Sequence, residues 1–509
     1  MENAVEFQKA IREGYTMKGN TILLGKAIWQ GEVFADLDIC APLRMMNRHG
    51  LISGATGTGK TKTLQMLAEN LSASGVPVLL MDLKGDLSGL AMPANPNDKI
   101  HERINLMQLN DWLATGFPVE LLSISEEPGT RVRATVTEFG SVLLAKILDL
   151  NDTQQSVLAM LFQYCDEQHL PLLDLKDLRK LLQWASNEGR KELSEAYGNI
   201  SPATVGAMMR KVMELEQQGA SLFFGERSFD IYDLMRYDDG GKGIISILRV
   251  TDLQERPKMF STCMLQLLSE LYASLPEKGD MEQPELVMFI DEAHLIFKDA
   301  SKVLIDQLET TIKLIRSKGV GIFFCTQNPT DIPASILSQL GMKIQHALRA
   351  FTANDRKAIR LAAANYPESN FYKTEELITS LGIGEALVTL LNEKGIPTPL
   401  VYTMICPPRS RMDILTPAEI TQLVAQSRIA SRYEEVMDRE SAYEILHKKI
   451  AAATPEVSTG TSKPAAEKTI FDNTIVKSMM RTAGNQIVRS LLGSLGFTGS
   501  SKSRKKTWF

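Results

Sequence analysis

Asn47-Arg-His-Gly-Leu-Ile-Ser-Gly54-Ala55-Thr56-Gly57-Thr58-Gly59-Lys60-Thr61-Lys-Thr-Leu-Gln-Met-Leu67 decides the fold. Its first residues read as a strand and its last as a helix. Between them lies G-x-x-x-x-G-K-[ST], the spacing of a phosphate-cradling loop. Gly54, Gly57 and Gly59 let the backbone curl so that its N–H groups face phosphate oxygens. The helix that follows adds partial positive charge at its N-terminus. Lys60 is placed for the β- and γ-phosphates and the Thr61 hydroxyl for Mg2+; Ala55, Thr56 and Thr58 complete the loop.

Working outward, the next strand is Pro77–Asp82, followed by the loop Leu-Lys84-Gly-Asp86. Strand, glycine loop, helix and strand in this order indicate a parallel α/β sheet. Further strands are expected at Gly243–Val250, Glu285–Asp291 and Val320–Asn328, with a closing hairpin in GEALVTLL and KGIPTPLVYTMI. The second of these ends in Asp291-Glu292. A buried parallel strand delivers such acids to the sheet edge where ligands bind. Asp291 is the candidate to hold Mg2+ through water, and Glu292 the candidate general base toward water; the plainer reading is a strand end with solvated acids. Gln327 ends the following strand, where an amide can contact a γ-phosphate and the attacking water, or simply close a turn. Lys84 has two readings, a contact to phosphate or a neighbouring subunit, and an ion-paired loop. His294 receives no role, and Cys325 reads as a buried strand thiol.

The 509 residues, at about 150 per domain, suggest two to four structural units. Hydrophobic residues make up 44% and charged residues 23%, which excludes a collagen-like, mucin-like or largely disordered chain. The net charge of −5 gives no global basic field. It is unevenly spread, +7 over Val457–Phe509 and −12 before it. Five scattered cysteines argue against a disulfide framework or a zinc site. The N-terminus lacks the apolar core of a signal peptide, and no apolar run approaches a membrane span. A reduced, cytoplasmic protein is expected.

Residues 1–45 read as a short helical start with β pieces (TILLGKAIW, GEVFADLDI). The core is expected over 46–141 and 226–410, interrupted by an all-helical insertion at 142–225. A polar helical extension follows at 411–452, then a Pro/Ser/Thr/Gly linker at 453–469. Over 470–509, Phe471, Ile475, Met479, Ala483, Ile487, Leu491 and Leu495 recur every four residues beside Lys477, Arg481 and Arg489. That basic amphipathic segment has three readings: docking on a neighbouring subunit, binding DNA phosphates, or lying on an anionic membrane.

Six segments together resemble the HerA/FtsK superfamily of P-loop motor ATPases, and most of all a bacterial family of HerA-like ATPases: NRHGLISGATGTGKT, GVPVLLMDLKGDLSGLA, VTEFGSVLLAKILDLNDTQ, FIDEAH, RSKGVGIFFCTQNPTDIP and LGIGEALVTLLNEKGIPTP. The likeness covers residues 20–410. It implies a RecA-like P-loop core, ATP and Mg2+ as cofactors, and a homo-oligomeric ring, a hexamer, that moves nucleic acid. It also implies a catalytic arginine at Arg316, in KLIRSKG, which in FtsK-like proteins reaches the neighbouring subunit's ATP. The plain alternative is a helix-end cation favoured by the dipole. Arg349 and Arg356 are the reserve candidates. The chain departs from its models: about 45 residues precede the phosphate loop where HerA proteins carry a β-barrel, and neither the anchor nor the winged helix of FtsK is recognisable. Expected partners are further copies of the chain, double-stranded DNA, and a nuclease or other protein. The leading expectation is a DNA-translocating ATPase. The alternative is a P-loop ATPase that remodels or regulates a protein complex, favoured by the acidic body, and a metabolic kinase ranks third.

Overall fold

The structure, a computed structural model, describes residues 2–453 apart from 254–255, 280, 298–301, 436 and 438. The linker from 454 onward and the basic helix at 470–509 lie outside the described residues. Twelve strands form one sheet: β1 (Thr21–Trp29), β2 (Glu32–Pro42), β3 (Gly50–Ser53), β4 (Val78–Asp82), β5 (Val119–Ser123), β6 (Thr130–Arg131), β7 (Ile245–Arg249), β8 (Leu286–Ile290), β9 (Val320–Thr326), β10 (Met342–Gln345), β11 (Glu385–Thr389) and β12 (Val401–Ile405). Their order is β2-β1-β12-β11-β10-β3-β9-β8-β4-β7-β5-β6. From β10 to β6 every pairing is parallel, and from β2 to β10 every pairing is antiparallel. The α/β class and the mainly parallel sheet therefore stand.

The parallel strands are apolar because both faces are covered. Along β8, Leu286, Met288 and Ile290 join one apolar cluster, while Val287 and Phe289 join the other. The two-residue period of a strand sends successive side chains to opposite faces. One face packs against the helix Lys60–Ala73 and the N-terminal helix Glu2–Tyr15. The other packs against Pro257–Ser274, Lys302–Ile315 and a block of helices between Val136 and Gln217. Three of that block's helices start with reciprocal caps, Thr135 with Glu138, Asn151 with Gln154, and Asp174 with Asp177, which fix where each begins.

β11 and β12 pair antiparallel as the hairpin expected from sequence. The region expected as a polar helical extension, 411–452, is helical in three pieces, Pro417–Ala425, Ala430–Glu434 and Ala442–Ala453. In the turn between the first two, Ser427 Oγ accepts from the Ile429 and Ala430 N–H groups. Buried Tyr433 then anchors the short middle piece through its hydroxyl, which donates to Asp233 at 2.5 Å.

Candidate active site

Four neighbouring strands, β3, β9, β8 and β4, run parallel and so end on the same edge of the sheet. β3 leads into the loop Gly54–Gly59, β9 into Gln327, β8 into Asp291-Glu292, and β4 into Lys84. This gathers residues separated by more than two hundred positions at one edge.

The loop adopts the conformation that its glycines permit. Gly54, Gly57 and Gly59 have φ of 151°, 78° and 117°. A Cβ on Gly54 would lie 2.5 Å from the Cβ of His346, so bulk there is excluded as well. Gly54 N–H donates to Thr326 O at 3.3 Å and Ala55 N–H to Ala347 O at 2.7 Å, tying the loop to the ends of β9 and β10. The Thr58 hydroxyl donates to Ala55 O at 2.7 Å. Lys60 arches back to donate to Gly54 O at 2.7 Å and Ala55 O at 3.2 Å. Burial lowers its ammonium below the usual range, Lys84 adds to the effect and Glu292 opposes it. Thr56 in the loop is exposed, and Thr61 in the first helical turn is half-buried.

Asp291 and Glu292 are 2% and 6% exposed, so they are not solvated acids at a strand end. Burial pushes the Asp291 carboxyl up to about 7, with Lys84 drawing it down and Glu292 raising it. Its Oδ2 is buried with no hydrogen-bond partner among the described residues. A buried carboxylate oxygen left bare at the sheet edge that carries the phosphate loop fits a hard cation such as Mg2+, which takes few protein oxygens and keeps its waters. Glu292 has φ of +47°, a left-handed conformation costly for a residue with a Cβ. It forms an ion pair with Lys84, and its Oε2 lies 3.2 Å from His294 Nδ1. Of the two readings of Lys84, the structure has the ion pair. Gln327 is exposed, one residue beyond β9.

Arg316 is not among these residues. It opens the 3-10 turn Arg316–Lys318 before β9, on the edge of the sheet where the parallel strands begin, and it contributes to the field at His49 just ahead of β3. Arg349 and Arg356 follow β10 and so lie toward the phosphate-loop edge, both exposed, with Arg349 donating to Thr379 O at 3.1 Å.

Two residues escaped the sequence reading. His346 is fully buried between the phosphate-loop helix and the hairpin. Its Nδ1 faces the Glu385 carbonyl at 2.9 Å and must carry the proton, so Nε2 accepts from the Thr63 hydroxyl at 2.9 Å. Burial lowers its pKa to about 4, keeping it neutral. Arg103 donates to the carbonyls of Ile383, Gly384 and Ile405, and Gly384 N–H in turn donates to Thr58 O at 3.0 Å. The Ile383-Gly384 turn therefore braces the phosphate loop from the β11 side. Neither residue offered a signal in the sequence, because the burial of His346 and the partners of both come from the folded chain.

A family model described as helicase HerA-like C-terminal matches residues 30–470. The chain belongs to that family. Among curated relatives, the DNA double-strand break repair helicase HerA of Sulfolobus acidocaldarius is 22% identical over 370 residues, 72% of this chain and 66% of that protein. The protein of the same name from Sulfurisphaera tokodaii is 26% identical over 378 residues, again 72% and 66%. This HerA-like chain thus spans just under two thirds of the length of either relative. Among solved structures, the bacterial conjugative coupling protein TrwBdeltaN70 in its unbound monoclinic form has a TM-score of 0.52 at 14% identity, covering 80% of this chain and 95% of that one. That likeness is one of fold. Family and fold together make the chain a P-loop ATPase of the HerA/FtsK type with a RecA-like core. Among the described residues, no helix is long and apolar enough to cross a membrane.

Proposed function

We propose that the chain is a cytoplasmic, ATP-hydrolysing motor subunit that assembles into a hexameric ring and translocates double-stranded DNA. One observation carries the reading. The phosphate loop, Asp291, Glu292 and Gln327 stand together on one edge, while Arg316 stands on the opposite edge of the same sheet. A ring lets the second edge of one subunit meet the first edge of the next. The relatives named as double-strand break repair helicases supply the polymer.

In this reading Lys60 and the loop N–H groups bind the β- and γ-phosphates, and Thr61 and Asp291 would hold Mg2+, the latter through water. Magnesium, when bound, supplies charge neutralisation on the phosphate oxygens. Glu292 takes the proton of the attacking water as its oxygen bonds to the γ-phosphorus and the bond to the β,γ-bridging oxygen breaks. Gln327 orients that water. Arg316 of the adjacent subunit steadies the charge that spreads over the γ-phosphoryl oxygens. The helical block at 142–225 is an insertion in the core, and a nuclease or other protein partner joins outside it.

The alternative, remodelling of a protein complex without nucleic acid, draws on the acidic body: −12 over the first 456 residues. ATPase rate with double-stranded DNA, single-stranded DNA or RNA, measured across salt, separates the two. Stimulation by duplex DNA that falls steeply with salt supports translocation. Equal rates with and without any nucleic acid would defeat it in favour of the alternative.

A further inference from the structure

Lys84 has no part in the reaction as described above, yet its ammonium sits at the centre of the site's charges. It ion-pairs with Glu292 and acts electrostatically on Asp291 and on Lys60. The backbone that carries it is fixed. Asp82, at the end of β4, accepts N–H bonds from Gly85 at 2.7 Å, Asp86 at 3.3 Å and Leu87 at 3.1 Å. The side chain is freer: it is 35% exposed, against 8% for its partner's. A four-carbon stem ending in a point charge can exchange partners without moving its loop.

The two candidate partners differ in charge. Glu292 is a monoanion, and a terminal phosphate offers more negative charge and three strong acceptors. A carboxylate paired with an ammonium is held in its ionised form and is a poorer acceptor for a water's proton. We infer that Lys84 is a positioning residue with two alternative partners, the Glu292 carboxylate and the γ-phosphate of a bound nucleoside triphosphate. Glu292 is released to act only when that phosphate is in place. A nucleoside diphosphate does not reach the ammonium, so loss of phosphate returns Lys84 to Glu292. The inference rests on Glu292 being the base.

The test compares affinities of the full chain, in Mg2+, for ADP and for a non-hydrolysable ATP analogue. Lys84→Met should weaken the ATP analogue about tenfold, the order expected for one charge-assisted hydrogen bond, and leave ADP unchanged. Lys84→Arg should keep most of the discrimination and serves as the control for folding. Glu292→Gln frees Lys84 from its acid, so the analogue should bind more tightly than to the unmodified chain, and Lys84→Met should erase that gain. A structural ion pair would instead move both nucleotides together. Equal losses for ADP and the analogue in Lys84→Met, or no tightening in Glu292→Gln, overturn the inference. Wild-type turnover by Glu292→Gln would defeat the base assignment alone; the affinity ratios would still decide whether Lys84 exchanges partners.

Discussion

Lys60 spans the phosphate loop, bonded to two of its carbonyls, and its removal takes away the charge that a triphosphate meets first. Lys60→Ala should reduce ATP affinity below detection by calorimetry; undiminished binding would remove the site assignment. Glu292→Gln should keep ATP bound and cut turnover by about 10²–10⁴, the usual contribution of a general base. Loss of binding instead would make Glu292 a structural acid. His49 offers a test by pH. Its Nδ1 accepts from Ile322 N–H at 3.0 Å while Nε2 donates to Ile312 O at 2.9 Å, and burial lowers its pKa to about 4. The folded state holds it neutral, whereas the unfolded chain takes up the proton near 6.5. Its stabilisation is therefore complete above 6.5 and is lost as pH falls toward 4, by about 3 kcal/mol in all. Burial raises Asp82 and Asp291, which work in the opposite direction, so the quantity to measure is the stability difference between wild type and His49→Gln at each pH. That difference should shrink between pH 6.5 and 4; a constant difference would contradict the account. The loop and the two acids were legible because each motif is local in sequence. His346 and Arg103 were not, since their partners Thr63 and Gly384 lie 283 and 281 residues away.

At the scale of elements, legibility followed length and burial. The apolar runs of β4, β8 and β9 stood out, as did the hairpin of β11 and β12. The four residues of β10 and the two of β6 are too short for a periodic signal, and they are strands because neighbours already in the sheet pair with them. The polar pattern of the extension did not show where it breaks: Ser427 takes up the Ile429 and Ala430 N–H groups locally, and buried Tyr433 holds the middle piece through Asp233, 200 residues away. The turn before β11 carries its own prediction. Gly384 has φ of +73°, and a Cβ there would lie 2.3 Å from Arg103 Nη1. Gly384→Ala should cost about 1–2 kcal/mol from the left-handed backbone alone. Because Gly384 also bonds Thr58, nucleotide affinity should weaken in the same variant. Denaturant midpoints and nucleotide titration read the two effects, and unchanged affinity would show that the turn does not brace the loop.

For the whole molecule, the seven residues of β9 put Arg316 roughly 20 Å from its own phosphate-loop edge, at about 3.3 Å per residue. Any action on ATP is then in trans. Arg316→Ala and Glu292→Gln should each be inactive, and mixing them should restore part of the activity through interfaces that pair an intact glutamate with an intact arginine. A verified mixed ring that stays inactive would move the role to Arg349 or Arg356. Deleting residues 453–509 and measuring oligomer mass, DNA affinity and liposome binding distinguishes the three readings of the basic segment. The placement of β3 between β9 and β10 has a further consequence, for biosynthesis. A ribosome finishes β3 and then adds 266 residues before it starts β9, so the strand carrying the phosphate loop emerges with neither neighbour available. At about 5–20 residues per second that interval lasts from about 13 s to about a minute. Until it ends, nucleotide has no formed cradle to bind, and β3 waits as an apolar strand without a partner while β8, β4, β7, β5 and β6 can already pair beside the gap it will fill with β9.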